Sequence, residues 1–242
     1  MLKLFLLPLF VRCESADHYW TAGNCFVQNE LYWAYLIIFF CGLRNSEIGR
    51  LEIKNIILDG GVYFFDLGTK PRRTQRTLGR HSTKGKSKAA ARRVPISPLL
   101  IDLGLIERAE ALKIAGKQRL FPEWKDFKNK KSGRDMPGHH LSKSWQYVKK
   151  KFEFVGDELT IYGGRHTRAQ WYKEIDLAEI IKRKILGHAQ MDVHAVYGAN
   201  VLTVAEAKLA LKTLPIEQQI AGILIHAKLR AEYKELIALP TW

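Results

Sequence analysis

The sequence predicts an α+β fold, mostly helical, with one small antiparallel three-stranded sheet. Three observations carry this. Helical signals, apolar residues three and four apart between capping residues, recur along most of the chain. Strand signals are confined to one stretch, residues 62–96. No internal repeat, heptad array or low-complexity tract interrupts the pattern.

In chain order, residues 1–28 read as irregular or short helical structure anchored by Phe5, Leu9, Phe10 and Trp20. The stretch Met1–Val11 has one cation and an apolar run, as a signal peptide does. Pro8 interrupts that run and no small-x-small cleavage site follows, so it reads as a core segment. Asn29 and Glu30 open a strongly apolar helix through Phe40, with Gly42 as its C-cap. Ser46 and Glu47 fall in a second, short helix whose apolar face is Ile48 and Leu51. The Asp59-Gly60-Gly61 turn leads into a strand over Val62–Phe65. A second strand is expected over Arg76–Thr83 and a third over Arg92–Ile96, with a flexible hairpin tip between them.

Pro98 suits the first turn of a helix running to about Ala115. Residues 121–140 read as a surface loop rich in Lys, Gly and Pro, and His139 and His140 as loop residues without a metal-ligand partner. Helices follow near 142–155, 164–174, 176–186 and 191–198, with Trp145, Trp171 and Tyr172 in the core. The tail reads as a helix over 203–213 and, after Pro215, another over 216–238.

Composition narrows the function class. At 242 residues and 47% hydrophobic the chain can bury a sizeable core. A net charge of +15 points to a polyanionic partner, nucleic acid first. Between Lys70 and Arg93 there are ten Lys or Arg and no Asp or Glu. A further five Lys or Arg stand beside one Asp in residues 125–134, read as a solvated or DNA-backbone surface. Cys13, Cys25 and Cys41 form no CxxC pair, which argues against a zinc site or a disulfide scaffold and suits the cytoplasm. No apolar run reaches membrane-spanning length, so no membrane partner is expected.

The chemistry-bearing residues fit attack on a phosphodiester by a phenol. Leu186-Gly187-His188 closes one helix, and Tyr197 follows nine positions after the histidine. A five-coordinate phosphorus carries extra charge on its non-bridging oxygens. Guanidinium groups match that charge bidentately and stay ionised at any working pH. Donors preplaced there accelerate the reaction without needing a metal, and a lysine can protonate the departing 5′ oxygen. Arg44 stands at a helix junction with Glu47 to orient it. Arg165 starts a helix after Gly163 and Gly164. Lys84 and Lys86 lie on the basic hairpin, which also offers Arg72, Arg73, Arg76, Arg80, Lys88 and Arg92 as DNA contacts.

These blocks, GLRNSEIGRL, ARRVPIS, YGGRHTRA and ILGHAQMDVHAVYG, occur in the order of the tyrosine-recombinase or phage-integrase family, which the chain resembles over most of residues 30–200. Pro8-Leu9-Phe10, Tyr32-Trp33 and Arg119-Leu120-Phe121-Pro122-Glu123 extend the likeness toward bacterial and prophage-type integrases. The resemblance implies a catalytic domain over residues 1–200 and a helical tail over 201–242 that docks on a neighbouring protomer in such proteins. It also implies that the family's N-terminal core-binding domain is absent from this chain. Tyr197 would form a 3′-phosphotyrosine, Arg44 and Arg165 would clamp the phosphate, and His188 would donate to it. The general acid would be Lys86, favoured by its spacing to Val94-Pro95, or Lys84, favoured by the TKGK pattern.

The expected activity is site-specific recombination or integration on double-stranded DNA, by a homotetramer assembled on it with accessory DNA-bending proteins. No metal or cofactor is implied: the preplaced donors do without a metal, and the tyrosyl ester conserves the bond energy, so no ATP is needed. One departure stands out: Tyr162 occupies the position where the family has a histidine, and a phenol donates a hydrogen bond but does not shuttle protons near neutral pH. Two alternatives follow, an impaired integrase remnant that only binds DNA and a type IB topoisomerase-like enzyme. A basic RNA-binding protein ranks last, for want of an aromatic-basic motif.

Overall fold

The helix over Glu30–Cys41 is the centre of the molecule, and every residue from Leu31 to Cys41 is buried. A helix apolar on all sides belongs inside a core and not on its surface. The computed structural model describes residues 2–68, 91–154, 160–188 and 201–232. In it, the Asn29 side chain accepts from the Tyr32 backbone N–H at 3.0 Å, and Gly42 ends the helix at φ 72°. We call this helix α2, after a short α1 over Leu2–Phe5. Phe5 and Phe10 pack edge-on against its Phe39 and Tyr35 at centroid distances of 5.4 and 5.9 Å. The apolar N-terminal stretch is thus core, as its sequence implies.

The structure bears out an α+β architecture with one small antiparallel sheet and the strands expected over Val62–Phe65 and Arg92–Ile96, and it adds a strand before them. The three are β1 (Ile56–Asp59), β2 (Val62–Asp66) and β3 (Arg93–Pro95), in spatial order β1-β2-β3. Asp59 pairs with Val62, so Gly60 and Gly61 form a two-residue turn with φ 55° and 78°. Positive φ at both positions is the hairpin turn whose twist matches the strands. The sequence marks this turn and the β2 arm that follows it, but not the β1 arm that precedes it. Strand β1 lies at the sheet's edge with Leu58 60% exposed, so it lacks the alternation that marks a strand. The strand expected over Arg76–Thr83 lies outside the described residues.

Helix α3 (Asn45–Ile48) follows α2 almost at once. The single helix expected from Pro98 to Ala115 is two, α4 (Pro98–Asp102) and α5 (Leu105–Ile114), because Gly104 adopts φ 104° between them. Helix α6 (His139–Lys151) begins three residues before the position expected. His139 and His140 therefore form its first turn, stacked on Phe127 and Trp124. Leu141, Trp145 and Val148, spaced four and three apart, are the face α6 buries.

Helices α7 (Gly163–Glu174), α8 (Glu179–Leu186), α9 (Val204–Ala210) and α10 (Pro215–Glu232) complete the described chain. Residues 233–238 of the expected last helix, and the helix expected over 191–198, lie outside the described residues. Trp171 and Tyr172 are buried as anticipated. Leu202, Ala207, Ala210, Ile220 and Leu224 join the same core cluster as α2 and the sheet, so α9 and α10 pack on the body of this chain. Among the described residues no helix is long and apolar enough to cross a membrane.

Candidate active site

Three guanidinium groups meet at the carboxyl end of α8. The last turn of a helix leaves carbonyls without helical partners, and these carry partial negative charge. Gly187 closes α8 at φ 63°, and the backbone N–H groups of Gly187 and His188 both donate to Arg183 O. The carbonyls just upstream then point away from the helix. Arg92 Nε donates to Ile185 O at 2.6 Å, Arg165 Nη2 to Leu186 O, and Arg44 Nη2 to Gly187 O at 3.0 Å. Arg165 Nη1 also donates to Gly42 O at 2.6 Å, tying the start of α7 to the end of α2.

A single carboxylate organises two of these cations. Arg44 Nη1 donates to Glu47 Oε1 at 2.9 Å, and the Arg44 backbone N–H to Oε2 at 2.8 Å. From the opposite side Arg92 donates through Nη1 to Oε1 at 2.8 Å and through Nη2 to Oε2 at 2.9 Å. Burial pushes the Glu47 carboxyl up, but the hydrogen bond and charge of Arg92, then those of Arg44, override it and hold it at about 2. Among the described residues, three guanidiniums gather around one carboxylate, Glu47. Burial, then the charges of Arg44 and Arg92, lower Arg165 to about 10.

His188 is exposed beside this cluster. Burial of part of its ring, then the charges of Arg165 and Arg44, push it below the usual imidazole value. At neutral pH the ring is therefore held neutral, with one N–H to donate and one nitrogen to accept. Tyr162 stands at the N-terminus of α7, 37% exposed, with the Arg165 guanidinium 6.0 Å from its ring centre and His166 edge-on at 4.8 Å. Gly164 has a packing reason: a Cβ there would meet Phe39 Cε2 at 3.0 Å, so glycine lets α7 lie against α2. Gly163 has open space around it.

The structure thus brings Arg44, Arg165 and His188 together, with Tyr162 at the edge. Lys84, Lys86, Arg72, Arg73, Arg76, Arg80, Lys88 and Tyr197 lie outside the described residues. Arg92 is a correction. Expected as a DNA contact, its side chain is instead 2% exposed and engaged with Glu47, so it positions the cluster from within. The pattern carried a usable signal: Arg92, Val94 and Ile96 alternate along one face, and the latter two are buried.

Sequence reasoning also missed Arg168. One turn beyond Arg165, it is fully enclosed and donates to Glu217 at 2.5 Å and to Ala210 O at 3.0 Å. Its guanidinium also lies 4.4 Å from the Tyr172 ring centre. Its spacing from Gly164, Trp171 and Tyr172 puts it on the buried face of α7. A second ion pair, Lys184 to Glu206 at 2.6 Å, joins α8 to α9. Gly187 thus carries a carbonyl of the arginine cluster, and Leu202 is buried in the core. Comparisons with protein-family models, with curated proteins and with solved structures find no match.

Proposed function

We propose that this chain is a tyrosine-type DNA recombinase or integrase catalytic domain that cuts and rejoins double-stranded DNA through a 3′-phosphotyrosine at Tyr197. The observation that carries it is the convergence of Arg44 and Arg165, from distant parts of the chain, on the carbonyls that immediately precede His188. An anion entering here meets guanidiniums and an imidazole held by other parts of the fold, the preorganisation that phosphoryl transfer rewards. The Tyr197 oxygen attacks phosphorus, the bond to the 5′ oxygen breaks, and Lys86 or Lys84 supplies the proton that oxygen takes up. Rejoining reverses these steps on a new 5′ hydroxyl. The net charge of +15 fits a DNA partner. Assembly as a tetramer on DNA with accessory bending proteins belongs to the same reading, as does a cytoplasmic location.

One observation favours a second reading, a remnant that binds DNA without cutting it. Arg165 is 2% exposed and its donors engage Gly42 O and Leu186 O. A nicked suicide substrate separates the two. The wild-type chain forms a denaturant-resistant protein–DNA adduct under the first reading and none under the second. Tyr197→Phe is expected to bind DNA but to form no adduct, and an adduct in that variant would reject the assignment of the nucleophile. Tyr162→His is expected to change the rate and pH profile of cleavage.

A further inference from the structure

Cys13 and Cys25 lie opposite each other across an antiparallel bridge, outside the arginine cluster. Cys13 N donates to Cys25 O and Cys25 N to Cys13 O, both at 2.8 Å, so the two residues form a hydrogen-bonded pair. The Cα atoms of such a pair are about 5.5 Å apart, inside the range that a disulfide spans, and the two side chains lie on one face. The Cys13 thiol lies at the crossing, with Sγ 3.5 Å from the backbone carbonyls of both Cys25 and Ser15. Gly23 makes the approach possible: a Cβ there would stand 2.5 Å from Glu14 Cα, so only glycine lets the chain cross the Cys13–Glu14 backbone. Cys13 also bridges Ala22, and Glu14 N donates to Thr21 O at 2.8 Å, so residues 21–25 fold back on the Cys13 segment and hold the pair in register.

We propose that Cys13 and Cys25 are a modification site, a dithiol that closes to a reversible intrachain disulfide by exchange with a low-molecular-weight disulfide such as oxidised glutathione. Cys25 is exposed and Cys13 buried, which sets the order of events. The Cys25 thiolate attacks one sulfur of the oxidant and releases a first glutathione thiolate, leaving a mixed disulfide on Cys25. The Cys13 sulfur, after losing its proton to solvent, attacks Cys25 Sγ and expels the second glutathione thiolate. Two thiols of the chain are oxidised, and one glutathione disulfide is reduced to two thiols. Burial and the neighbouring Cys25 push the Cys13 thiol up, so the second step is faster at mildly alkaline pH. The closed loop would hold Trp20, which packs edge-on against Tyr35 of α2 at 6.1 Å.

The test treats the native full-length chain with oxidised glutathione, then alkylates it in denaturant and records the intact mass. The wild type is expected to keep one alkylated cysteine, Cys41, and to lose two. Cleavage at Asp17 and Glu30 is then expected to leave the Cys13 and Cys25 peptides joined until dithiothreitol is added. Cys13→Ser is expected to accumulate the glutathione adduct on Cys25, and Cys41→Ser to close like the wild type. A lasting glutathione adduct on wild-type Cys25, a disulfide only between two chains, or three alkylated cysteines would each overturn the proposal.

Discussion

The Arg92 guanidinium and the Glu47 carboxylate face each other through two parallel hydrogen bonds of 2.8 and 2.9 Å. Glu47 sits between Arg92 and Arg44, so one side chain fixes a buried cation behind the site and a more exposed one at its front. Removing a buried partner leaves the other charge without compensation. Glu47→Ala is therefore expected to cost about 3–5 kcal/mol in chemical denaturation, whereas Arg44→Ala costs less than about 1 kcal/mol because Arg44 is partly solvated. The pH dependence follows from the lowered carboxyl. Its folded value, about 2, lies below the ordinary 4.5, so its contribution is complete above pH 4.5 and fades as pH falls toward 2. The stability gap between wild type and Glu47→Gln should narrow over that window. A gap that stays constant would refute the assignment.

His188 offers a direct reading of the cluster's field. Burial and the charges of Arg165 and Arg44 disfavour its protonated form, so its imidazole should titrate below the usual 6.5 in an NMR experiment. Arg44→Gln removes one of those charges from the solvent side and should move the midpoint upward. No movement would mean that Arg44 does not act on His188. The same titration in the presence of a bound phosphate analogue should show a midpoint raised further, since an anion favours the imidazolium.

Much of this arrangement is legible in the amino-acid sequence, and the reason is local. Asn29 and Gly42 as caps, and Gly187 as the end of α8, depend on neighbours within a turn or two, which a sequence displays directly. What the sequence hides depends on pairing across the chain. Strand β1 is recognisable only through its partner β2, Arg92 is buried only because Glu47 and Ile185 O await it, and Cys13 meets Cys25 only through the crossing at Gly23. The break at Gly104 is visible as a residue, but nothing in the spacing distinguishes a tolerated helix glycine from a left-handed one.

The two glycines before Arg165 make opposite predictions. Gly164→Ala would place a methyl 3.0 Å from Phe39 Cε2 and 3.2 Å from Ile38 Cγ2, so the Phe39 and Ile38 side chains or α7 must give way slightly. Overpacking of this kind costs about 1–3 kcal/mol. Gly163→Ala meets nothing and only restricts the unfolded chain, so it should be neutral or stabilise by up to about 1 kcal/mol. Thermal denaturation of the two variants side by side checks the contrast, and equal effects would contradict the packing account of Gly164.

Arg168 and Glu217 couple the helix that carries Arg165 to α10. Both side chains are 3% exposed, and their 2.5 Å contact is surrounded by Tyr172, Trp171 and the Ala210 carbonyl. An ion pair so enclosed has exchanged hydration for a few fixed partners, Ala210 O for Arg168 and Leu214 N–H for Glu217 besides each other. Either single change, Arg168→Met or Glu217→Leu, should therefore destabilise by about 3–5 kcal/mol, while the double change recovers most of the loss. Under the proposed function, two outcomes are distinguishable. If the pair serves stability alone, the double variant regains DNA cleavage along with its fold. If it sets the angle of α7, the double variant refolds yet binds DNA with slowed adduct formation, because Arg165 sits one turn away on the same helix. We expect the second result. Arg168 anchors α7 to Ala210 O as well as to Glu217, and methionine cannot replace that bond.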